Sequence, residues 1–229
     1  MQHDELIERL SRLDAACICD GNKALRAADL AVEEFRIVDP AIRPLQLGLK
    51  LVGRAHTISC KNDFLTVIKG LREAEPGDVL VIDGQGGDRA IAGGLFPTES
   101  VRKGLAGIIV DGCCRDTRTV RNLELPYYAR TIVPIAGTSD KIGETQIPVN
   151  CGGVIVSPGD IVFGDDDGLV VGTHEQFEAA LPIAEQIQHK EELLMANMAA
   201  GKELMEMLNL DEHLAAVAKG QESKLQFLV

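Results

Sequence analysis

An arginine and an aspartate, Arg115 and Asp116, stand side by side shortly after an apolar run that ends at Val110. A guanidinium can hold a carboxylate through two parallel charge-assisted hydrogen bonds. An aspartate can be the single protein ligand of Mg²⁺, which keeps several of its waters. Placed where a buried strand ends, the pair could therefore bind an anionic oxo-acid next to a metal ion. The alternative is a structural salt bridge that closes the turn between a strand and a helix.

A pair of glycines, Gly93 and Gly94, stands directly before Leu95 and Phe96 in a segment that reads as mainly helical. Backbone N–H groups at the start of a helix attract anions. The loop could therefore offer its N–H groups to an anionic substrate. The same glycines would also suit a turn that requires a positive φ, and the two interpretations are compatible.

Strands and helices alternate around these residues. Apolar runs predict strands over Leu51–Ser59, Val79–Asp83 and Ala106–Asp111, and the last of these suits a sheet that is covered on both faces. Ala90–Gly104 is expected to be mostly helical despite Pro97. Short strands separated by turns follow in the middle of the chain. This pattern predicts a mixed α/β domain with helices on one side and extra β layering on the other.

Helices are predicted at both ends of the chain. Asp4–Ala16 has apolar residues near helical spacing, and a second short helix is expected over Asn22–Ala28. From His174 to about Ala200 the pattern is helical, with a break or kink expected at Pro182. The apolar stripe of this last helix could pack on its own domain or on a neighbouring subunit.

Composition excludes several classes of protein. The net charge is −12, and no cluster of Lys and Arg offers a footprint for nucleic acid. No run of about 18 apolar residues predicts a membrane span, and the acidic N-terminus lacks the features of a secretory signal. We therefore expect a cytoplasmic protein. The six cysteines match no zinc-binding spacing and are interpreted as small buried apolar residues.

Several segments, taken in order, resemble one known family: the RraA-like proteins, which include regulator of ribonuclease activity A and the class II 4-hydroxy-4-methyl-2-oxoglutarate aldolases. Any one segment alone would be weak evidence, and the ordered set is specific. The matching segments are PGDVLVID (Pro76–Asp83), GGLF (Gly93–Phe96), GIIVDGCCRD (Gly107–Asp116), LPYYAR (Leu125–Arg130), SPGDIVFGDDDGLVV (Ser157–Val171) and KEELL…AAGKEL (Lys190–Leu204).

This resemblance implies an architecture. The expected fold is α/β, the swivelling β/β/α three-layer type with a C-terminal helical extension. We expect a single domain over residues 1–229, in which residues 174–219 form the extension and contact a neighbouring subunit. The family resemblance also implies a homotrimer or hexamer with active sites between subunits, and a divalent metal, Mg²⁺ or Mn²⁺.

The resemblance also implies roles for particular residues. Arg115 would bind the substrate carboxylate and Asp116 would reach the metal. The loop of Gly93, Gly94, Leu95 and Phe96 would offer backbone N–H groups to the substrate. An acidic residue on the C-terminal helix of the adjacent subunit would help to organise the metal's water shell, and by position this is Glu191, with Glu192 as the second choice.

The sequence departs from the family pattern at two positions. The aldolases are expected to have an acid twenty-one positions before the arginine, where this chain has Gly94. The ribonuclease regulators tend to have an acid three positions after the aspartate, where this chain has Thr119. Aldol cleavage needs a base for the substrate hydroxyl, and Asp88 and Glu99 are the nearest substitutes in sequence.

These observations lead to a prediction of function. Decarboxylation of a β-oxo acid needs no base of this kind. We therefore expect a metal-dependent carbon–carbon lyase that acts on small oxo-acids and gives pyruvate through an enolate. Decarboxylation of oxaloacetate is favoured over cleavage of 4-hydroxy-4-methyl-2-oxoglutarate. The alternative is a non-catalytic protein that binds and regulates a ribonuclease.

Overall fold

The structure is a computed structural model that describes residues 1–28 and 32–228. It contains one large mixed sheet, a small two-stranded hairpin and helices that cover the sheet. The strands are β1 (Arg36–Ile37), β2 (Arg43–Pro44), β3 (Leu51–Ser59), β4 (Asp78–Asp83), β5 (Ala90–Ala92), β6 (Gly107–Cys114), β7 (Tyr127–Ile132), β8 (Glu144–Thr145), β9 (Val149–Cys151), β10 (Val154–Val156), β11 (Ile161–Gly164) and β12 (Leu169–Gly172). The helices are α1 (His3–Leu10), α2 (Ala15–Ala27), α3 (Leu65–Glu73), α4 (Leu95–Lys103), α5 (Thr117–Val120), α6 (His174–Ala199) and α7 (Leu210–Ala218), with a 3-10 turn at Leu204–Met207.

Four parallel strands, β3, β4, β6 and β7, form the centre of the large sheet. Antiparallel strands extend it on both sides, in the order β1, β12, β11, β3, β4, β6, β7, β2. The short strand β5 pairs in parallel with the last residues of β6. Parallel strands joined through helices place their carboxyl ends at one edge of the sheet, where ligands of open α/β sheets usually bind.

Alternate residues of β4 face opposite layers, which explains its continuous apolar sequence. Leu80 and Ile82 pack in a core cluster with residues of α3 and α5. Val79 and Val81 pack in a second cluster with residues of the hairpin formed by β9 and β10. The sheet therefore lies between a helical layer and a β layer, and the predicted β/β/α arrangement is confirmed.

A third core cluster joins α1, α2 and α6 to the β11–β12 side of the sheet. The predicted break at Pro182 is wrong, because α6 runs unbroken from His174 to Ala199. Pro182 lies on the exposed face, whereas Leu181 and Ala184 are fully buried. Burial of these neighbours compensates for the hydrogen bond that a proline cannot donate. Gly21 permits close contact with α2, since a Cβ there would lie 3.0 Å from the Ala180 carbonyl oxygen.

The helices predicted over Asp4–Ala16 and Asn22–Ala28 have different boundaries in the structure, and the second of them is the C-terminal half of α2. The expected helix over Asp4–Ala16 is divided, because α1 ends at Leu10 and α2 begins at Ala15. The Asp165 carboxylate accepts a hydrogen bond from the Ala15 N–H at 2.8 Å, which satisfies one free donor at the start of α2. Across the described residues, no helix has both the length and the apolar character needed to cross a membrane.

Candidate active site

The ends of two neighbouring strands bring the predicted site residues together. β5 was expected to be the beginning of a helix, and this expectation is wrong because Ala90–Ala92 pairs in parallel with β6. The strand β6 is also longer than predicted and ends at Cys114. The Arg115 N–H continues the pairing and donates to the Ala92 carbonyl at 3.1 Å. The loop after β5 and the loop after β6 therefore lie side by side.

Asp116 is held in an unusual backbone conformation. Its φ and ψ are 57° and 35°, in the left-handed region that non-glycine residues rarely occupy and that aspartate and asparagine tolerate best. Its Oδ2 accepts the Gly94 N–H at 3.1 Å and lies 3.6 Å from the Arg115 Nε. Among the described residues, none donates a hydrogen bond to Oδ1. One carboxylate oxygen is thus fixed, and the other can bind a ligand.

The two glycines are required for space and not for backbone conformation. Neither has a positive φ, so the interpretation as a turn that needs one is wrong. A Cβ at Gly93 would lie 2.5 Å from the Asp116 Oδ2. A Cβ at Gly94 would lie 3.0 Å from the Cγ2 of Thr119. Positions 94 and 119, at which this chain departs from the two branches of the family, are therefore in direct contact.

The arginine and the aspartate open into a cleft of about 180 Å³. This volume lies below the roughly 300–1,000 Å³ of pockets for drug-sized ligands, so it suits a small compound. The walls are apolar, and the aromatic rings of Phe64 and Phe96 lie 6.1 Å apart between centroids. The main apolar residues of the walls are Phe64, Ile68, Ile91, Leu95, Phe96 and Ala136.

A buried carboxylate, Asp63, fixes the side of the cleft next to Phe64. It accepts hydrogen bonds from the Thr138 hydroxyl and from the backbone N–H groups of Leu65, Asp140 and Lys141. Burial alone would raise the pKa of Asp63, but these four donors outweigh it and lower the pKa to about 2. Asp63 is therefore ionised at neutral pH and ties the loop near residue 140 to the start of α3.

Asp116 is the one carboxylate in the described lining of the cleft that could hold a metal ion. Among the described residues, no group of three or more His, Cys, Asp and Glu side chains could hold a metal. The fit is therefore to an ion such as Mg²⁺, which can be held by one carboxylate and keep most of its waters. Asp116 meets this need, since its side chain is 46% exposed and Oδ1 is available.

Glu191 lies at a different place in the same chain. Its Oε2 is 3.4 Å from the Cys17 Sγ, in a depression lined also by Asp165, Asp166 and Lys50. A contribution of Glu191 to the Asp116 site would have to come from another subunit, and that pairing stays a prediction. The second choice, Glu192, is exposed beside His189.

The substitute bases do not line the cleft. Asp88 accepts a hydrogen bond from the Asn62 amide, and its side chain is largely exposed. Both Glu99 oxygens accept hydrogen bonds from Arg102 on the outer face of α4. The described lining of the cleft thus contains no carboxylate besides Asp116.

The cysteines behave as the sequence predicts. All six are free, and all except the partly exposed Cys19 are buried. Cys114 stands next to Arg115, yet burial raises the pKa of its thiol to about 12. A buried thiol with this pKa is not a nucleophile at neutral pH.

The wall formed by Phe64 and Ile68 is the part of the site that sequence reasoning missed. Phe64 and Ile68 share the apolar spacing of α3 with Val67 and Leu71, so the pattern indicates one core face. In the structure Val67 and Leu71 are buried in the core, while Ile68 is 43% exposed and lines the cleft. Ile68 follows Val67 directly and therefore lies at the margin of the apolar stripe of α3. This position is the feature of the sequence from which its exposure could have been predicted.

The layered fold and the small cleft at the strand ends define a class of protein. Comparison of the chain with family models identifies this class. The model of the RraA-like family, described as Aldolase/RraA, matches residues 15–171. The chain therefore belongs to the RraA-like family.

Three relatives show the range of names among the proteins that this chain resembles. A protein of Halalkalibacterium halodurans with the provisional name 4-hydroxy-4-methyl-2-oxoglutarate aldolase is 34% identical over 190 residues, which cover 82% of this chain and 86% of that protein. Streptomyces coelicolor RraAS2, described as an unusual member of the RNase ES inhibitor RraA family, is 29% identical with a TM-score of 0.68, over 84% of this chain and 96% of that one. The RNA-processing inhibitor RraA from Thermus thermophilis is 31% identical with a TM-score of 0.58, over 64% and 89%.

Proposed function

We propose that this protein is a divalent-metal-dependent lyase that breaks a carbon–carbon bond in small 2-oxo acids. The observation that carries the proposal is that Arg115 and Asp116 line one small cleft and that both side chains are partly exposed. Arg115 would hold the substrate carboxylate, and the backbone at the start of α4 would face the same anion. When bound at Asp116, Mg²⁺ or Mn²⁺ would supply positive charge next to the 2-oxo oxygen.

The lining of the cleft favours decarboxylation over aldol cleavage. In decarboxylation of oxaloacetate the C3–C4 bond breaks, carbon dioxide leaves, and the electron pair becomes that of the pyruvate enolate. A solvent proton then adds to C3. No residue has to remove a proton from the substrate, and the described lining of the cleft contains no carboxylate besides Asp116, the proposed ligand of the metal, that could do so. Aldol cleavage would require such a base.

Assays of two substrates test this proposal. Release of pyruvate from oxaloacetate is expected to be faster than release from 4-hydroxy-4-methyl-2-oxoglutarate. Both rates are expected to fall at least about tenfold when a chelator removes the metal and to return with Mg²⁺ or Mn²⁺. Turnover of oxaloacetate that is indifferent to the chelator would refute the metal-dependent lyase.

Restoring an acid at position 94 is expected to increase aldol cleavage. Because a Cβ at Gly94 would crowd Thr119, the variant combines Gly94→Asp with Thr119→Ala. General base catalysis contributes about 10²–10⁴-fold where the geometry is ideal, and we expect about a tenfold gain in pyruvate release from 4-hydroxy-4-methyl-2-oxoglutarate. Oxaloacetate decarboxylation is expected to gain nothing. The single variant Thr119→Ala is the control, and an equal gain in both reactions would contradict the role assigned to position 94.

The expected homotrimer or hexamer is part of the same proposal. Leu95 at the rim of the cleft is 82% exposed in the single chain, and Ile142 is 77% exposed. Contact with another subunit would remove this apolar surface from water, which is favourable. If α6 of a neighbouring subunit reached the cleft, it would bring Glu191 to the water shell of the metal. The C-terminal extension would then contact a neighbouring subunit, as the family resemblance implies.

Ribonuclease binding is the second candidate, and similarity to two solved inhibitors of the RraA type favours it. Thr119 lacks the acid that the regulators tend to carry, so the sequence gives this function less support. Retention of a ribonuclease on the immobilised protein, unchanged by chelator, together with no turnover of oxo-acids, would favour the regulator over the lyase.

A further inference from the structure

We propose that Cys17 is a positioning residue whose thiol holds the Glu191 carboxylate in the orientation that it needs at the metal site of a neighbouring subunit. The inference rests on the proposed function, in which Glu191 reaches the water shell of the metal at the Asp116 site of another copy of the chain. The Cys17 Sγ lies 3.4 Å from the Glu191 Oε2, within the distance of a hydrogen bond to sulfur. Cys17 therefore acts through Glu191 and not by contact with the metal or the substrate.

The thiol is the donor in this contact. Burial and, after it, the Glu191 carboxylate raise the pKa of the Cys17 thiol to about 12, so the sulfur keeps its proton at neutral pH. Among the described residues, no other group donates a hydrogen bond to either carboxylate oxygen of Glu191. Cys17 is 1% exposed, whereas Glu191 is exposed on the surface of α6. A buried donor thus restrains a side chain that would otherwise move between rotamers in water.

The backbone on both sides of the contact is fixed by the packing of α2 on α6. Gln188 stands one turn before Glu191, and its side-chain oxygen accepts the Asp14 N–H at 3.0 Å. The side-chain nitrogen of Gln188 donates to the Arg12 carbonyl at 2.8 Å. Asp14 directly precedes the first turn of α2, which carries Cys17. All of these contacts lie within one chain, so the orientation of Glu191 is set before another subunit docks.

The orientation of Glu191 matters because a metal ion that keeps its waters is held partly by the groups that bind those waters. Substitution of such groups typically lowers metal affinity or activity about 10–100-fold. A carboxylate that is already held in one orientation loses little conformational freedom when it meets the water shell. The depression around Glu191 is open to the surface and has a volume of about 400 Å³, so the edge of another subunit can reach the carboxylate.

Titration calorimetry with Mn²⁺, without substrate, tests the role of the thiol. In Cys17→Ala the carboxylate loses its donor, and the Kd for the ion is expected to rise about tenfold. Cys17→Ser keeps a donor at the same position and is expected to stay within about threefold of the parent. Cys151 is also 1% exposed but lies in the core between the sheet and the hairpin, so Cys151→Ala is the matched control and is expected to bind as the parent does. Equal weakening in Cys17→Ser and Cys17→Ala would overturn the inference.

A double-mutant cycle shows whether Cys17 acts through Glu191. Glu191→Ala is expected to raise the Kd for Mn²⁺ about tenfold, and the addition of Cys17→Ala is expected to change this value by no more than about twofold. Two losses that multiply to about 100-fold would mean that the thiol acts by another route and would contradict the inference. Glu191→Ala with the affinity of the parent would contradict it as well.

Molecular mass and turnover distinguish positioning from a purely structural role of the thiol. Light scattering is expected to give Cys17→Ala the same oligomeric mass as the parent, and dissociation of its subunits would overturn the inference. In the oxaloacetate assay kcat of Cys17→Ala is expected to fall about tenfold while KM stays within about twofold, because Arg115 is unchanged. A rise in KM with kcat unchanged would also contradict the proposed role.

The variant Asp116→Asn separates failure of this inference from failure of the proposed function. If Mn²⁺ binds the parent and Asp116→Asn weakens this binding while Cys17→Ala does not, the metal site stands and the positioning role fails. If Mn²⁺ does not bind the parent, or binds Asp116→Asn equally well, the proposed function itself fails. Binding of the ion is measured directly, so neither conclusion depends on turnover.

Discussion

Replacement of Asp116 by asparagine is expected to reduce kcat for pyruvate release at least about 100-fold while the protein remains folded. The substitution keeps the size of the side chain and an oxygen that can accept the Gly94 N–H. Asparagine also tolerates the left-handed conformation of residue 116. What the variant loses is the negative charge and with it the proposed ligand of the metal, whose loss removes electrostatic stabilisation of the enolate.

Calorimetric titration with Mn²⁺ checks the physical reason for this loss. The apparent Kd for the ion is expected to rise at least about tenfold in Asp116→Asn, and the melting temperature of the metal-free protein is expected to stay within a few degrees of the parent. Asp20→Asn, an exposed change of the same charge on α2, is the control. Unchanged turnover in Asp116→Asn would remove the basis of the proposed mechanism.

Local pattern was sufficient to locate the charged pair. The apolar run before Arg115 indicates a buried strand, and residues that follow such a strand lie at the sheet edge where sites are built. The structure confirms the strand and places Gly93 and Gly94 next to the pair. The spacing of apolar residues within a strand or helix indicates which residues are buried together. The order of these strands and helices could therefore predict the layers of the fold as well.

Other features of the site depend on contacts between residues distant in sequence. β5 is three residues long and is a strand only because β6 continues to Cys114 beside it. The requirement for Gly93 arises from the Asp116 carboxylate, 23 positions later in the chain. The left-handed backbone of Asp116 has no local sequence signature either, since aspartate occupies many conformations. Tertiary packing decides these features, and a pattern read within one segment does not contain them.

Arg115 is expected to govern the affinity for substrate and not the affinity for metal. Arg115→Lys keeps a positive charge but replaces the planar fork with a single ammonium group, so one of the two parallel hydrogen bonds to a carboxylate is lost. We expect kcat/KM for oxaloacetate to fall about 100-fold, mainly through KM, and the Kd for pyruvate to rise correspondingly. Arg118→Lys, an exposed change three residues later on α5, is the matched control.

The effect of an Arg115 substitution on the affinity for metal distinguishes a substrate-binding arginine from a structural salt bridge. The guanidinium lies 3.6 Å from the Asp116 Oδ2, and its positive charge opposes binding of a cation at the same carboxylate. Arg115→Ala is therefore expected to bind Mn²⁺ at least as tightly as the parent while binding pyruvate much more weakly, the reverse of the pattern in Asp116→Asn. If Arg115 and Asp116 formed only a structural salt bridge, the result would differ. Removal of the arginine would then release Asp116 from its position, so metal and pyruvate binding would both weaken and the melting temperature would fall. Loss of affinity for both Mn²⁺ and pyruvate in Arg115→Ala would therefore show that the arginine stabilises the fold and does not bind the substrate.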